Sequence, residues 1–119
     1  MNTYKHILTV ILVGLITQLS IAQYGAQKRA DYYFGQFSYV KAIKEYEKMV
    51  EGNYNTNYAH QRLAECHLLI RDFKQAIPHF EKVINSTSIP TDYYFKYAMA
   101  LHSVGEIKEA EKWFKRYKK

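Results

Sequence analysis

The chain has 119 residues and a formal net charge of +6, with 17 lysines and arginines against 11 aspartates and glutamates. This length holds one domain. The single cysteine, Cys66, excludes an intrachain disulfide, and we expect it to be a small packed residue. The basic excess near the C-terminus is typical of cations at a helix end, although it also suits anionic lipid or an acidic partner, and nucleic acid is not an expected partner.

Residues 1–22 have the pattern of a secretory signal peptide. A lysine precedes an apolar run from Ile7 to Ile16, and small residues, the second of them Ala22, occupy the two positions that signal peptidase reads. We therefore expect cleavage before Gln23 and export of a mature domain of residues 23–119. An uncleaved N-terminal anchor is the alternative, because the apolar character continues beyond the run.

Two series of alanines recur after this segment at a spacing of 34 residues. The first is Ala30, Ala64 and Ala98, and the second, twelve residues behind it, is Ala42, Ala76 and Ala110. An aromatic residue follows each member of the second series by four residues, at Tyr46, Phe80 and Phe114. Two helices approach closely only where the crossing side chain is small, and a residue four positions on lies on the same face. This period predicts stacked helix–turn–helix repeats.

The apolar periodicity predicts an all-α fold of six helices in three pairs. The predicted helices cover residues 26–36, 39–51, 58–70, 73–85, 92–104 and 107–118, within repeats of approximately 23–56, 57–90 and 91–119. In the last repeat Glu111 and Lys118 occupy positions that are apolar in the first two. Because a terminal repeat needs a polar outer face, we expect the array to end at three repeats or to meet a different module, near an apolar end at Trp113.

These residues resemble the tetratricopeptide repeat family, whose motif combines two small residues and an aromatic at these phases. The resemblance covers roughly residues 26 to 119 and departs at the turn glycine, present only as Gly105 and replaced by Phe37 and Arg71 in the earlier repeats. It implies an α-solenoid of three repeats in which the first helix of each pair lines a concave face.

The resemblance also implies a set of groove residues. They are Gln27, Asp31 and Phe34 in the first repeat, Gln61, Glu65 and Leu68 in the second, and Phe95, Met99 and His102 in the third. The set lacks the Lys and Asn with which some members bind a terminal carboxylate. We expect a groove for an extended or helical apolar segment with one basic group. The alternative is that Phe34, Leu68 and Phe95 only complete the core.

Two runs, Lys28 to Lys48 and Asp92 to Ala98, further resemble the N-terminal region of exported OmpA-family proteins with a repeat–propeller layout. In that family a signal peptide and three helical repeats precede a propeller and a peptidoglycan-binding domain, and some members resemble a type IX secretion component. The resemblance implies a scaffold at the periplasmic face of the outer membrane. It favours a chain that is a piece of a longer protein or a short relative.

Catalytic motifs are absent from the sequence: there is no HExxH, glycine-rich phosphate loop or GxSxG. We therefore expect neither an enzyme nor a cofactor, but a scaffold that binds a protein or peptide partner or a downstream domain. One alternative is a structural spacer or homodimerisation module. The other is a small metal or redox protein using Cys66, His60 and His67, although a zinc site needs three or four converging ligands.

Overall fold

The computed structural model describes residues 2–119, and their regular structure consists of six α-helices with no strand. The helices are α1 (Asn2–Gly35), α2 (Tyr39–Glu51), α3 (Thr56–Leu69), α4 (Phe73–Val83), α5 (Asp92–Ser103) and α6 (Ile107–Lys118). The predicted all-α class and the number of helices are confirmed. Five of the six helices lie within a few residues of their predicted bounds.

Adjacent helices pack as hairpins, and the hairpins follow one another along the chain. α1 packs on α2, α3 on α4, and α5 on α6, while α2–α3 and α4–α5 contacts join successive pairs. Helix α3 also touches α5, so the first helices of the second and third pairs lie side by side. This repeat-like arrangement places one face of α1, α3 and α5 on a common side of the molecule.

The repeated alanines lie where the helices meet. All six, Ala30, Ala64, Ala98, Ala42, Ala76 and Ala110, have no exposed surface. The aromatics Tyr46 and Phe80 are likewise fully buried, and Phe114 is half-buried on the last helix. Small residues at the crossings and a ring one turn later explain how each hairpin closes with little empty space.

The three turns inside the hairpins share one backbone conformation. The second residue of each turn has a left-handed φ: 60° at Phe37, 63° at Arg71 and 88° at Gly105. The next amide N–H then donates to the carbonyl five residues back, with N···O distances of 2.8–2.9 Å in all three turns. This bond ends the first helix in a Schellman motif, which satisfies carbonyls that the helix end leaves free.

The buried side chains form two clusters. One lies among α1, α2 and α3 around Tyr46, Met49 and Leu63, and it includes Cys66, whose predicted burial is confirmed. The other joins the second and third pairs around Phe80 and Tyr97. Two adjoining clusters, rather than one central core, are what stacked hairpins produce, because each pair buries its faces against its neighbours.

Helix α1 differs most from its prediction, because it begins at Asn2 rather than near residue 26. The apolar segment and the first repeat form one uninterrupted helix, since no proline separates them. The helix contains an 18-residue window of mean hydropathy 1.8, none of it buried, and is long and apolar enough to cross a membrane. Signal sequences near an N-terminus share this character. The Gln23 side-chain amide donates to the Gly52 carbonyl at 2.8 Å, which joins α1 to the C-terminal end of α2.

All residues buried in the described chain lie between Ala26 and Ala110, so residues 2–22 contribute to neither cluster. We predict that residues 23–119 fold alone, with the same cooperative urea unfolding as the whole chain in detergent. The measurement is circular dichroism at 222 nm against urea concentration. A broad, non-cooperative transition of the shortened chain would contradict this assignment of the core.

Candidate binding groove

A shallow depression of about 190 Å³ lies on the side that α1, α3 and α5 share. Its lining is part apolar and part charged, and it consists of Phe34, Arg62, Glu65, Leu68, Leu69 and Lys96. Three of the predicted groove residues, Phe34, Glu65 and Leu68, therefore lie together. Arg62, Leu69 and Lys96 were not among them.

Glu65 is the buried charge at the centre of this depression. It is 9% exposed, and its two carboxylate oxygens accept hydrogen bonds from Arg62 Nη1 at 2.9 Å and Lys96 Nζ at 2.7 Å. Lys96 also reaches the Asp92 carboxylate at 2.8 Å. Burial lowers the pKa of Lys96, but the hydrogen bonds from its ammonium to Asp92 and Glu65 outweigh burial and raise it. The network thus ties α3 to α5 across the boundary between two hairpins.

Arg62 continues the network towards α1. Its guanidinium lies 4.4 Å from the centre of the Phe34 ring, and its Nε donates to the Tyr58 hydroxyl at 3.3 Å. Despite burial, the contacts with Tyr58 and Glu65 raise the pKa of Arg62 above its ordinary value. A planar cation held between a ring and a carboxylate is fixed in direction, so it forms part of the wall.

Asp31 lies beside the depression, and its carboxylate is hydrogen-bonded to two tyrosines. The hydroxyls of Tyr46 and Tyr58 both donate to Asp31 Oδ1, each at 2.6 Å. Burial, followed by the hydrogen bond to Asp31, raises the pKa of both tyrosines. Asp31 and Glu65, the two acids expected to meet a basic group on a ligand, therefore both have partners within the domain.

The remaining predicted groove residues lie apart from the depression. Phe95 is 41% exposed and packs against Phe114 and Tyr117 of α6, at ring-centre distances of 5.5 and 5.4 Å. Met99 and His102 are exposed on the same helix. Gln27 Oε1 accepts a hydrogen bond from Asn55 at 3.2 Å, and the Gln61 amide donates to Asn57 at 2.9 Å.

A signal for the missed cations was present in the sequence. Lys28, Arg62 and Lys96 are a third series at the spacing of 34 residues, one position after Gln27, Gln61 and Phe95. Arg62 and Lys96 each contact the hairpin that precedes their own. Lys28 has no preceding hairpin in the described chain and is exposed. The series therefore marks contacts between repeats.

Three histidines, His60, His67 and His79, meet between α3 and α4. His60 Nδ1 and His79 Nδ1 are 2.9 Å apart, so one ring donates and the other accepts, while the His67 ring stacks on His79 at 5.6 Å. Burial lowers the pKa of all three; Lys82 adds to this at His60, and Asp72 and Glu47 oppose it at His67. The pKa of His79 falls to about 4, because the two other histidines add to burial.

The described residues, 2–119, hold no group of three or more His, Cys, Asp or Glu side chains arranged to bind a metal ion. The His67 and His79 rings are nearly parallel, with 5° between their planes, so their nitrogens do not converge on one point. Burial also raises the pKa of the Cys66 thiol to about 12. This geometry therefore does not support a metal site formed by Cys66, His60 and His67.

The chain matches no protein-family model and no curated protein. The tetratricopeptide and OmpA-family resemblances therefore stay predictions that rest on the residues that carry them.

Replacing Glu65 by Gln removes the carboxylate that two partly buried cations share. We predict that E65Q lowers the free energy of unfolding by about 1–3 kcal/mol, because Arg62 and Lys96 lose their charged partner. Glu111, exposed on α6, is the matched control, and E111Q is expected to stay within about 0.5 kcal/mol of the wild type. Urea unfolding measures both, and equal losses would show that Glu65 is an ordinary surface acid.

The histidine cluster predicts a loss of stability in mild acid. Since burial lowers the pKa of His79 from 6.5 to about 4, the unfolded chain binds protons more readily than the fold across this interval. The contribution of His79 to the free energy of unfolding is fully present above about pH 6.5. As the pH drops towards 4, the free energy of unfolding falls by about 1–2 kcal/mol. Urea unfolding at several pH values measures the fall.

Two variants test this assignment to the cluster. H79Q is expected to flatten the pH dependence, whereas H102Q, which changes an exposed histidine of α5, is expected to preserve it. An unchanged acid response in H79Q would place its origin elsewhere in the chain.

Proposed function

We propose that this chain is an exported scaffold of the tetratricopeptide repeat type that mediates protein–protein interaction in the cell envelope. Three features support it: the alanine period, the hairpins that follow one another, and the apolar N-terminal segment. The resemblance to OmpA-family proteins supports a place at the periplasmic face of the outer membrane, as part of a larger outer-membrane-associated or secretion-associated protein. No chemical step is assigned to any residue.

The observation that carries the proposal is the composition of the depression between α1, α3 and α5. Its charged groups pair with one another, since Glu65 holds Arg62 and Lys96. What it offers a partner is apolar surface on Phe34, Leu68 and Leu69, the last of them 51% exposed. We infer that the partner contributes an apolar segment, because a polar or charged segment would find few unpaired groups here.

Because Glu65 and Asp31 already have partners within the domain, they do not favour a basic group on the ligand. A basic group on the ligand would have to displace Arg62 or Lys96 from Glu65, or two tyrosines from Asp31. Breaking such partly buried pairs is unfavourable. The structure therefore supports the apolar part of the expected ligand more than its basic part.

A photo-crosslinking experiment in cells tests the proposal. A photoreactive amino acid at Leu69, in the depression, is expected to trap a distinct protein of the cell envelope on a chain whose N-terminus is Gln23. The matched control is the same amino acid at Lys44, which is exposed on α2. We expect at least about a tenfold weaker adduct there.

Other outcomes would contradict the scaffold. Adducts of equal strength at both positions, or none at either, would remove the depression as a binding site. An adduct containing only a second copy of the chain would favour the homodimerisation module. A chain that keeps residues 1–22 and sediments with membranes would favour the uncleaved anchor.

A further inference from the structure

A second surface carries an inference that does not depend on the groove. It is the turn edge, defined as the three turns within the hairpins and the first turn of the helix after each. Most of the large exposed apolar side chains after Ala26, outside the groove positions, lie on it. They are Phe37 (79% exposed), Val40 (59%), Ile70 (40%), Val104 (38%) and Ile107 (43%).

The first two turns of this edge form a continuous apolar surface. Phe37, Val40 and Ile70 line one open depression of about 310 Å³, together with Lys41. Val104 occupies in the third turn the position that Ile70 has in the second, 34 residues earlier. Each turn joins the first helix of a pair to the second, and successive pairs pack on one another, so the three turns lie along one edge of the array.

The conformation of Phe37 indicates that its exposed ring is not required by the fold. A φ of 60° is unfavourable for a bulky residue and suits glycine, which the third turn has at Gly105. The Phe37 ring meets Tyr39 only edge to face, with the ring centres 6.4 Å apart. The chain therefore keeps a large apolar group where the backbone favours glycine and where water surrounds it, which points to a partner.

Cations flank the apolar tips. The turn edge carries Lys41, Arg71, Lys74 and Lys108, all exposed, against the carboxylates Asp72, Glu106 and Glu109. Glu109 is held at 2.9 Å by Lys112, which lies outside the turn edge. Four cations are then opposed by two carboxylates, those of Asp72 and Glu106, so the edge has a net positive charge that complements an anionic surface.

We propose that the turn edge docks on an anionic lipid bilayer. Phe37, Ile70 and Val104 enter the interface, and the lysines and Arg71 meet the lipid phosphates, as apolar side chains ringed by cations do in interfacial binding. The apolar groups favour a bilayer over an acidic peptide because they are spread over three turns, and the depression between the first two turns is open rather than an enclosed groove. The N-terminal half of α1 leaves the domain at the opposite edge, since α1 ends at the first turn. Docking is therefore separate from membrane insertion of that helix.

Vesicle sedimentation of residues 23–119 tests this docking. We expect binding to vesicles of phosphatidylglycerol and phosphatidylcholine at low salt, weaker binding at high salt, and little binding to phosphatidylcholine alone. F37G is the decisive variant, because glycine suits the left-handed φ. Its stability to urea is expected to equal or exceed that of the wild type, while its affinity for anionic vesicles falls on the order of tenfold.

A matched control is Y117S, which removes a 45% exposed ring at the far end of α6 and is expected to keep vesicle binding. The docking is overturned if anionic vesicles do not bind the domain, if F37G binds as well as the wild type, or if Y117S loses as much as F37G. Absence of vesicle binding would leave an acidic protein segment as the occupant of the edge. Crosslinking at Leu69 reports separately on the groove.

Discussion

The fold depends on close approach of helices at alanine. Each hairpin closes at one residue of each alanine series, and all six of these residues are fully buried. A larger side chain at a crossing would push the two helices of a hairpin apart. It would also disturb the α2–α3 or α4–α5 contacts that join this hairpin to the next. The same approach brings Phe34, Glu65 and Lys96, from three different hairpins, to the border of one depression. The groove is therefore a consequence of the packing.

The charged side chains at this groove are paired with groups of the domain itself, so they stabilise the packing of the hairpins. Glu65 joins α3 to α5 through Lys96, and Asp31 joins α1 to α2 and α3 through Tyr46 and Tyr58. Each of these carboxylates accepts from two donors, and its removal leaves cations or hydroxyls without their partner. These pairs fix the relative position of the hairpins and leave the apolar side chains as the surface that a partner meets.

The sequence predicted the helices and their crossings well because both follow from spacing. Ala64 and Ala76 can be recognised as crossing residues because they recur with the 34-residue period. Phe37 and Arg71 take the turn conformation of Gly105 because they occupy the same position in their repeats. Spacing could not show that α1 runs without a break from Asn2, since helix formation by the apolar segment depends on what surrounds it. Nor could it bring His79 to His60, because which side chains meet between two helices depends on their rotation about their axes.

Enlarging one crossing residue tests whether the helices depend on close approach at alanine. Ala76 is fully buried on α4, whereas its neighbour Gln75 is exposed on the same helix. We expect A76L to lower the free energy of unfolding in urea by about 1–3 kcal/mol and Q75L to change it by no more than about 0.5 kcal/mol. Equal stability of the two variants would contradict close helix packing at the alanines.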